Sequence, residues 1–247
     1  MPSKIGTCPL CDERRPLTEE HVVPRWMLRD WGTKPIWIGT SLGAMRELVV
    51  PVCQTCNAWM NKRFETRTMP ILRRVADGTE QVITPKEQLQ LTRWFTKTIM
   101  MYDIAAAPDL VLPHPSYAEF RRTGRPISRS RLWMGHCGDA WPTEQLIDPP
   151  RNYLLPYGSF TRVMRFGPLL VFFLWVRGAR HGNPPSIDHR WFHTYLRPIH
   201  PSQGPMDWPG KWVISGPIED AFRLLYPVRG MRSHLSAAVW KKSDSPT

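Results

Sequence analysis

The amino-acid sequence predicts an α+β fold in which a small cysteine-rich module comes first, followed by a helix and then a mostly β region. Three observations support this prediction. The paired cysteines all lie within residues 1–75, a helical apolar pattern follows at residues 84–107, and two apolar strand patterns lie at residues 160–176. The chain has 247 residues and 42% of them are hydrophobic, so it can bury a core. We therefore expect two regions, residues 1–75 and residues 76–247.

The net charge points to a polyanionic partner. Lys and Arg total 33 against 21 Asp and Glu, a formal net charge of +12, which favours binding to nucleic acid. The longest apolar run, residues 169–176, is much shorter than the roughly 20 residues that cross a bilayer. The first residues, MPSKIGTC, lack the apolar stretch of a signal peptide. We therefore expect a cytoplasmic protein without membrane segments.

The cysteines form two Cys-x-x-Cys pairs, Cys8 with Cys11 and Cys53 with Cys56, and a fifth, Cys137, stands alone. In a reducing compartment disulfides are disfavoured. Two pairs at this spacing are typical of a tetrahedral structural zinc site. The sequence therefore predicts that these four thiolates bind one Zn²⁺ and join segments about forty residues apart.

The helix is predicted from its first turn and its period. Thr84 can cap the N-terminus, Pro85 suits the first helical position, and Glu87 completes a capping box. The helix should end near residue 107, before Pro108. Its apolar face is predicted to contain Leu91, Trp94, Phe95, Thr98 and Tyr102.

The part of the chain after this helix is predicted to be loop-rich with short strands, because most of the 26 prolines of the protein lie there. Residues 160–166 and 169–176 indicate a hairpin that turns at Gly167 and Pro168. Further predicted elements are strands at residues 127–134, 190–199 and 212–215 and a short helix at residues 219–226.

Polar residues that could bind a cation or act as a base accompany the cysteine pairs. Glu20 and His21 lie between the pairs, and Asn57 directly follows the last cysteine. Asn57, Asn61 and Glu65 recur every four residues, so an α-helix would carry them on one face. Carboxylate and amide oxygens suit a hard divalent cation, and a neutral imidazole can take a proton from water. Beside a basic surface, these groups suit hydrolysis of phosphodiester bonds. Glu65 is instead expected to make a structural contact within residues 1–75.

This combination resembles the HNH endonucleases, the ββα-metal or His-Me finger nucleases. The resemblance implies a zinc-stapled ββα-metal finger at the N-terminus and a metal-dependent DNA endonuclease with Mg²⁺ or Mn²⁺ as the catalytic cation. It further implies that His21 is the general base, that Glu20 and Asn57 bind the catalytic cation, and that Asn61 is a second ligand or a phosphate contact. The residues that carry the resemblance are Cys8, Cys11, residues 20–24, Cys53, Cys56 and Asn57.

Downstream, residues 91–98 (LTRWFTKT) are similar to a W-x-x-K-T helix found in a bacterial and phage subgroup of that family. The sequence departs from the family at the middle asparagine, since residues 22–56 contain none. Arg46, Glu47 or a backbone carbonyl would have to orient His21 instead. Glu20 also stands where the family more often has an aspartate.

Two arginine-rich runs are predicted to contact phosphates, although neither specifies a base sequence. The predicted partner is DNA, and RNA stays open as a second one. The first run lies on and after the finger helix and contains Lys62, Arg63, Arg67, Arg73 and Arg74. The second run contains Arg121, Arg122, Arg125, Arg129 and Arg131.

Two other functions stay open at the level of sequence. The cysteines could hold zinc in a finger that binds nucleic acid or regulates another process without cleaving, its nuclease site having lapsed. The chain could also be an interaction module of a phage or defence complex. Nicking of supercoiled plasmid with Mg²⁺ or Mn²⁺, compared with EDTA, separates the enzyme from both.

Overall fold

The computed structural model describes residues 5–30, 37–39, 45–47, 49–105, 112–137, 153–155, 159–175, 196–209, 212–214 and 240–242. These residues form helices and small antiparallel sheets, which confirms the predicted mixture of helix and strand. The chain divides into two compact units. The first contains Met1–Leu72 and Leu89–Ser128, and the second contains Arg73–Gln88 and Arg129–Thr247. The predicted division into domains after residue 75 stays a prediction.

The first unit is built around a small antiparallel sheet. Its strands are β1 (Ile5–Thr7), β2 (Arg14–His21), β3 (Trp37–Gly39), β4 (Met45–Glu47) and β5 (Val49–Cys53). The sheet has the order β1-β2-β5, and β3 pairs with β4 in a separate ribbon. Glu20 lies opposite Val50 and His21 opposite Val49, so both candidate residues lie at the end of β2.

The first helices of this unit come soon after the strands. Helix α1 (Arg25–Asp30) comes after β2, and α2 (Gln54–Met60) begins where β5 ends. A π-helical segment (Asn61–Glu65) joins α2 to α3 (Thr66–Ala76), and in it the N–H of Thr66 donates to the carbonyl five residues earlier. A π turn rotates the residues after it relative to an uninterrupted α-helix. The sequence prediction that Asn57, Asn61 and Glu65 share one face assumed an uninterrupted α-helix. The π-helical turn changes the direction of Glu65 relative to that prediction.

The predicted long helix is confirmed as α4 (Pro85–Ala105). Its capping box is reciprocal: the N–H of Thr84 donates to Glu87 Oε2 at 2.9 Å, and the N–H of Glu87 donates to Thr84 Oγ1 at 3.3 Å. The residues predicted for the apolar face of α4 are all buried, namely Leu91, Trp94, Phe95, Thr98 and Tyr102.

Among the described helices, none combines the length and the apolar composition that a membrane span requires.

Helix α5 (Pro115–Thr123) completes the first unit and ends at Gly124, whose left-handed φ of 61° suits a glycine. The core beneath it is aromatic. The ring of Phe64 stacks on that of Phe120 at 5.2 Å, and Trp59 packs edge-on against Phe64 at 4.9 Å. Trp59 and Phe64 therefore pack against α5.

The second unit contains a five-stranded antiparallel sheet with the order β11-β7-β10-β9-β8. The predicted hairpin is confirmed, with all of β10 buried and a turn at Gly167, whose φ is 57°. The predicted strand at 127–134 begins three residues later, and the predicted helix at 219–226 lies outside the described residues. The strands of this unit are β6 (Gln81–Ile83), β7 (Ser130–His136), β8 (Tyr153–Leu155), β9 (Ser159–Phe166), β10 (Leu169–Trp175), β11 (Arg197–His200), β12 (Met206–Trp208), β13 (Trp212–Ile214) and β14 (Trp240–Lys242).

Candidate metal and nucleic-acid site

The four paired cysteines meet where β5 passes into α2. Their Sγ atoms all lie within 4.8 Å of one another. The Sγ atoms of Cys11 and Cys53 are 3.8 Å apart, much longer than a disulfide of about 2.05 Å. A tetrahedral ion with Zn–S bonds of about 2.3 Å requires S–S separations of about 3.8 Å. The cluster could therefore bind zinc, as the sequence predicts.

Local backbone geometry brings each pair into place. Asp12, which follows the first pair, adopts a left-handed φ of 57°, a conformation that aspartate tolerates in tight turns. The N–H of Asp12 donates to the carbonyl of Cys8 at 2.9 Å and closes this turn. Cys53 is the last residue of β5 and Cys56 lies in the first turn of α2, so one strand-to-helix junction holds the second pair.

The surroundings of the thiols differ in their effect on ionisation. Burial opposes ionisation of Cys8, but backbone N–H groups, first that of Cys53, lower the pKa of its thiol below the ordinary value. Burial raises the pKa of Cys56, and Arg121 offsets only part of that effect. A metal ion binds thiolates and would displace these protons. Four thiols gathered in this way, with all but Cys11 buried, are chemically suited to binding a metal ion.

Arg121 lies beside the thiol cluster. Its Nε donates to Cys56 Sγ at 3.2 Å, and its guanidinium carbon lies 4.6 Å from the centre of the Trp59 ring. Groups that donate to metal ligands hold those ligands in place. The structure therefore gives Arg121, which the sequence assigns to phosphate contact, a second role at the cysteine cluster.

Asn57 links the start of α2 to β2. Its Nδ2 donates to Thr18 Oγ1 at 3.1 Å and to the carbonyl of Glu19 at 3.5 Å. Thr18 in turn donates to the carbonyl of Val52 at 3.0 Å, which ties the contact to β5. Both hydrogen bonds of Asn57 use its nitrogen, so Oδ1 is the atom that can bind a cation. The carboxamide is thus held near the end of β2.

A buried lysine that sequence reasoning missed lies next to this group. Lys97 of α4 is fully buried, and its Nζ lies 2.5 Å from Glu20 Oε1 and 2.8 Å from Glu65 Oε1. Burial alone would lower the pKa of Lys97, but the two carboxylates, first Glu65 and then Glu20, raise it above the ordinary value. Trp26 Nε1 donates to Glu65 Oε2 at 3.4 Å. In the sequence, the signal for this ion pair is a lysine among the apolar residues of the predicted helix.

The remaining candidates have different surroundings. His21 is partly buried at the end of β2, and its Nδ1 atom is buried. Asn61 is exposed, and its Oδ1 accepts a hydrogen bond from Thr66 at 3.4 Å. The support predicted for His21 from Arg46 or Glu47 concerns side chains outside the described part of the chain. The structure thus holds Asn57 of α2 against β2, the strand that contains Glu20, while Asn61 faces solvent.

The basic runs are divided between the two units. Arg74 is engaged within the second unit, where its Nη2 lies 2.5 Å from Glu87 Oε1. Arg63 donates from Nη2 to the carbonyl of Thr123 at 3.1 Å in the first unit. The first unit holds Lys62, Arg63, Arg67, Arg121, Arg122 and Arg125, and the second holds Arg73, Arg74, Arg129 and Arg131.

Comparison of the chain with known protein families, with curated proteins and with solved structures finds no match. The interpretation of the site therefore depends on the chemistry of its own residues.

Proposed function

We propose that this protein is a metal-dependent endonuclease of the HNH type that hydrolyses phosphodiester bonds of DNA in a zinc-held ββα finger. The observation that supports it most is the placement of Glu20 and His21 at the end of β2, to which Asn57 of α2 is hydrogen-bonded. The order of two antiparallel strands, a thiol cluster and a helix is consistent with such a finger. The net charge of +12 agrees with a nucleic-acid substrate.

In the proposed reaction His21 accepts the proton of a water molecule whose oxygen attacks phosphorus, and the bond from phosphorus to the leaving oxygen breaks. Glu20 and Asn57 would hold Mg²⁺ or Mn²⁺, because each offers an oxygen donor of the kind these cations prefer. The cation would stabilise charge on the phosphate and on the leaving oxygen. Lys97 holds Glu20 through Oε1, so Oε2 of Glu20 is the oxygen left for a cation.

A second candidate function is a zinc-held nucleic-acid-binding protein without nuclease activity. The observation that favours it is the Lys97 ammonium, which already offsets part of the negative charge of Glu20 and Glu65. A carboxylate engaged by a buried ammonium is a weaker ligand for a further cation. The two candidates differ in cleavage and agree in zinc content and in DNA binding.

The deciding experiment is plasmid nicking by His21→Ala. A general base typically contributes 10²–10⁴-fold to rate and little to ground-state binding, so cleavage should fall by about that factor. Zinc content, the unfolding midpoint and DNA affinity without added Mg²⁺ or Mn²⁺ should stay near the wild-type values. The matched control is His114→Ala, since His114 is exposed and lies outside the group at the end of β2.

The nuclease proposal fails if wild-type protein does not nick plasmid with Mg²⁺, Mn²⁺, Co²⁺ or Ni²⁺. It fails equally if His21→Ala cleaves as fast as the wild type. In both cases salt-sensitive binding to DNA would leave the second candidate function standing.

A further inference from the structure

Four arginines of the first unit form a cluster that the sequence does not reveal, because they come from four separate elements. Arg63 lies in the π-helical segment, Arg67 in α3, Arg93 in α4, and Arg125 follows α5. The positive charges of the other three arginines are close enough to act on Arg93. Three of them belong to the two runs predicted from the sequence, whereas Arg93 belongs to neither.

Specific contacts hold the cluster together. Gln90 Nε2 donates to the carbonyl of Arg63 at 3.1 Å, and Arg93 follows Gln90 on α4 by three residues, about one helical turn. Arg63 Nη2 donates to the carbonyl of Thr123, and the N–H of Arg125 donates to Thr123 Oγ1 at 3.1 Å. The π-helical segment, α4 and the end of α5 are thereby fixed to one another.

Gly124 allows this approach. A Cβ atom at this position would lie 2.5 Å from Arg63 Nε, closer than any real contact, and the φ of 61° also disfavours other residues. The Arg63 side chain could shift away from a Cβ atom, so the positive φ is the stronger reason for glycine at this position. Glycine thus lets the backbone turn directly beside the Arg63 guanidinium.

The cluster has an excess of positive charge. Burial, and then the charges of Arg63, Arg67 and Arg125, lower the pKa of Arg93 below the ordinary value. The Nε atom of Arg93 is buried and has no hydrogen-bond partner among the described residues. Within the same part of the chain, no carboxylate forms an ion pair with any of the four arginines. Such a cluster is destabilising by itself and is stabilised by an anion.

We propose that Arg63, Arg67, Arg93 and Arg125 form a binding subsite for a phosphate of the nucleic-acid backbone, with Arg93 at its centre. Guanidinium groups bind phosphate oxygens in a bidentate manner, which suits a cluster of arginines that form no ion pair with a carboxylate among the described residues. Arg93 also lies four residues before Lys97, about 6 Å along α4, so a strand bound at the cluster lies close to Glu20. The choice of DNA as the polyanion rests on the proposed function, but the binding itself requires no cleavage.

The test is the affinity of Arg93→Gln for a fluorescein-labelled DNA duplex without added Mg²⁺ or Mn²⁺, measured by anisotropy between about 50 and 200 mM salt. Losing one phosphate contact should weaken binding by about tenfold and reduce the slope of log affinity against log salt by about 1. The matched control is Arg29→Gln, which removes the same charge from an exposed arginine paired with Asp30. Its affinity should stay within about twofold of the wild type, with an unchanged slope.

Thermal unfolding provides a second measurement. Inorganic phosphate should raise the unfolding midpoint of the wild type more than that of Arg93→Gln at equal ionic strength, since only the wild type keeps the complete cluster. If Arg93→Gln does not fold, Arg67→Gln replaces it, because Arg67 is exposed and has no partner among the described residues.

Equal affinities and slopes for Arg93→Gln and Arg29→Gln without added Mg²⁺ or Mn²⁺ would overturn the subsite, whatever the protein does to plasmid. Failure of the nuclease proposal has a different signature, the absence of nicking by the wild type. A reduced slope in a protein that does not cleave would support the subsite and reject only the enzyme.

Discussion

The ammonium Nζ of Lys97 lies 2.5 Å from the carboxylate Oε1 of Glu20, and this buried contact joins α4 to the end of β2. Glu65 of the π-helical segment completes the group at 2.8 Å. One ammonium balances only one of two carboxylates, so the group keeps a formal negative charge beside the candidate cation site. The same contact therefore both stabilises the first unit and limits how strongly Glu20 can bind a further cation.

Lys97→Met should destabilise the protein by about 3 kcal/mol, because it leaves two largely buried carboxylates without their counter-ion. The free energy of unfolding in urea measures this loss. Adding Glu65→Gln to Lys97→Met should restore part of the stability, since one carboxylate is then removed. Lys86→Met, at an exposed position of the same helix, serves as the control and should change stability by less than about 0.5 kcal/mol. A Lys97→Met protein as stable as this control would contradict the assigned ion pair.

Zinc retention should decrease from the wild type to Arg121→Gln and then to Cys53→Ser. Cys53 is a predicted ligand, whereas Arg121 only donates to the sulfur of Cys56, and loss of such a donor typically weakens metal affinity by 10–100-fold. Elemental analysis and the rate of zinc release to a chelator measure the order. Cys53→Ser should also lower the unfolding midpoint by about 10 °C or more, because bound metal supplies folding energy.

The control for zinc retention is Cys137→Ser. Cys137 is buried but lies outside the four-cysteine cluster, so this variant should keep its zinc. Wild-type protein that contains no zinc, or a Cys53→Ser variant that retains it, would reject the zinc site.

Asn57→Ala should reduce metal-dependent cleavage much more than Asn61→Ala. Asn57 is held at β2 with Oδ1 available to a cation, whereas Asn61 is exposed and bonded to Thr66. Part of the activity lost in Asn57→Ala should return at high Mg²⁺ or Mn²⁺, because its defect lies in cation affinity. Cleavage rates over a titration of the cation measure both effects. Greater loss in Asn61→Ala would transfer the ligand role to that residue.

Glu87→Gln should be less stable than the wild type by about 1 kcal/mol at pH 7, because it weakens the capping box and the contact with Arg74. Burial alone would raise the pKa of Glu87, but Arg74 and then Thr84 lower it below the ordinary value. A carboxylate with a lowered pKa contributes stability above its unfolded-state pKa and loses that contribution as the pH falls through its folded-state pKa. The difference between variant and wild type should therefore shrink in acid.

Urea unfolding of both proteins at neutral and acidic pH tests this dependence. Glu119→Gln, which changes an exposed glutamate of α5, is the control and should show no such difference at either pH. A stability gap between Glu87→Gln and the wild type that stays constant with pH would be inconsistent with the lowered pKa.

Short-range signals were sufficient for several elements. Thr84, Pro85 and Glu87 predicted the start of α4 because capping depends on residues within one turn. The two cysteine pairs predicted a common cluster because Cys-x-x-Cys spacing places two thiols within reach of one tetrahedral ion. The turn at Gly167 likewise follows from local backbone preferences.

The sequence by itself determined the residue types of the candidate site, the long helix, the hairpin and the cysteine cluster, since each depends on spacing along the chain. Only the tertiary structure decided that Lys97 binds Glu20 and Glu65, that Arg121 approaches Cys56, and that Asn61 faces solvent. It alone gathers Arg93 with arginines from three other elements. These contacts join residues 26 to 77 positions apart in the sequence or depend on a π-helical turn, and periodicity along one segment contains no information about either.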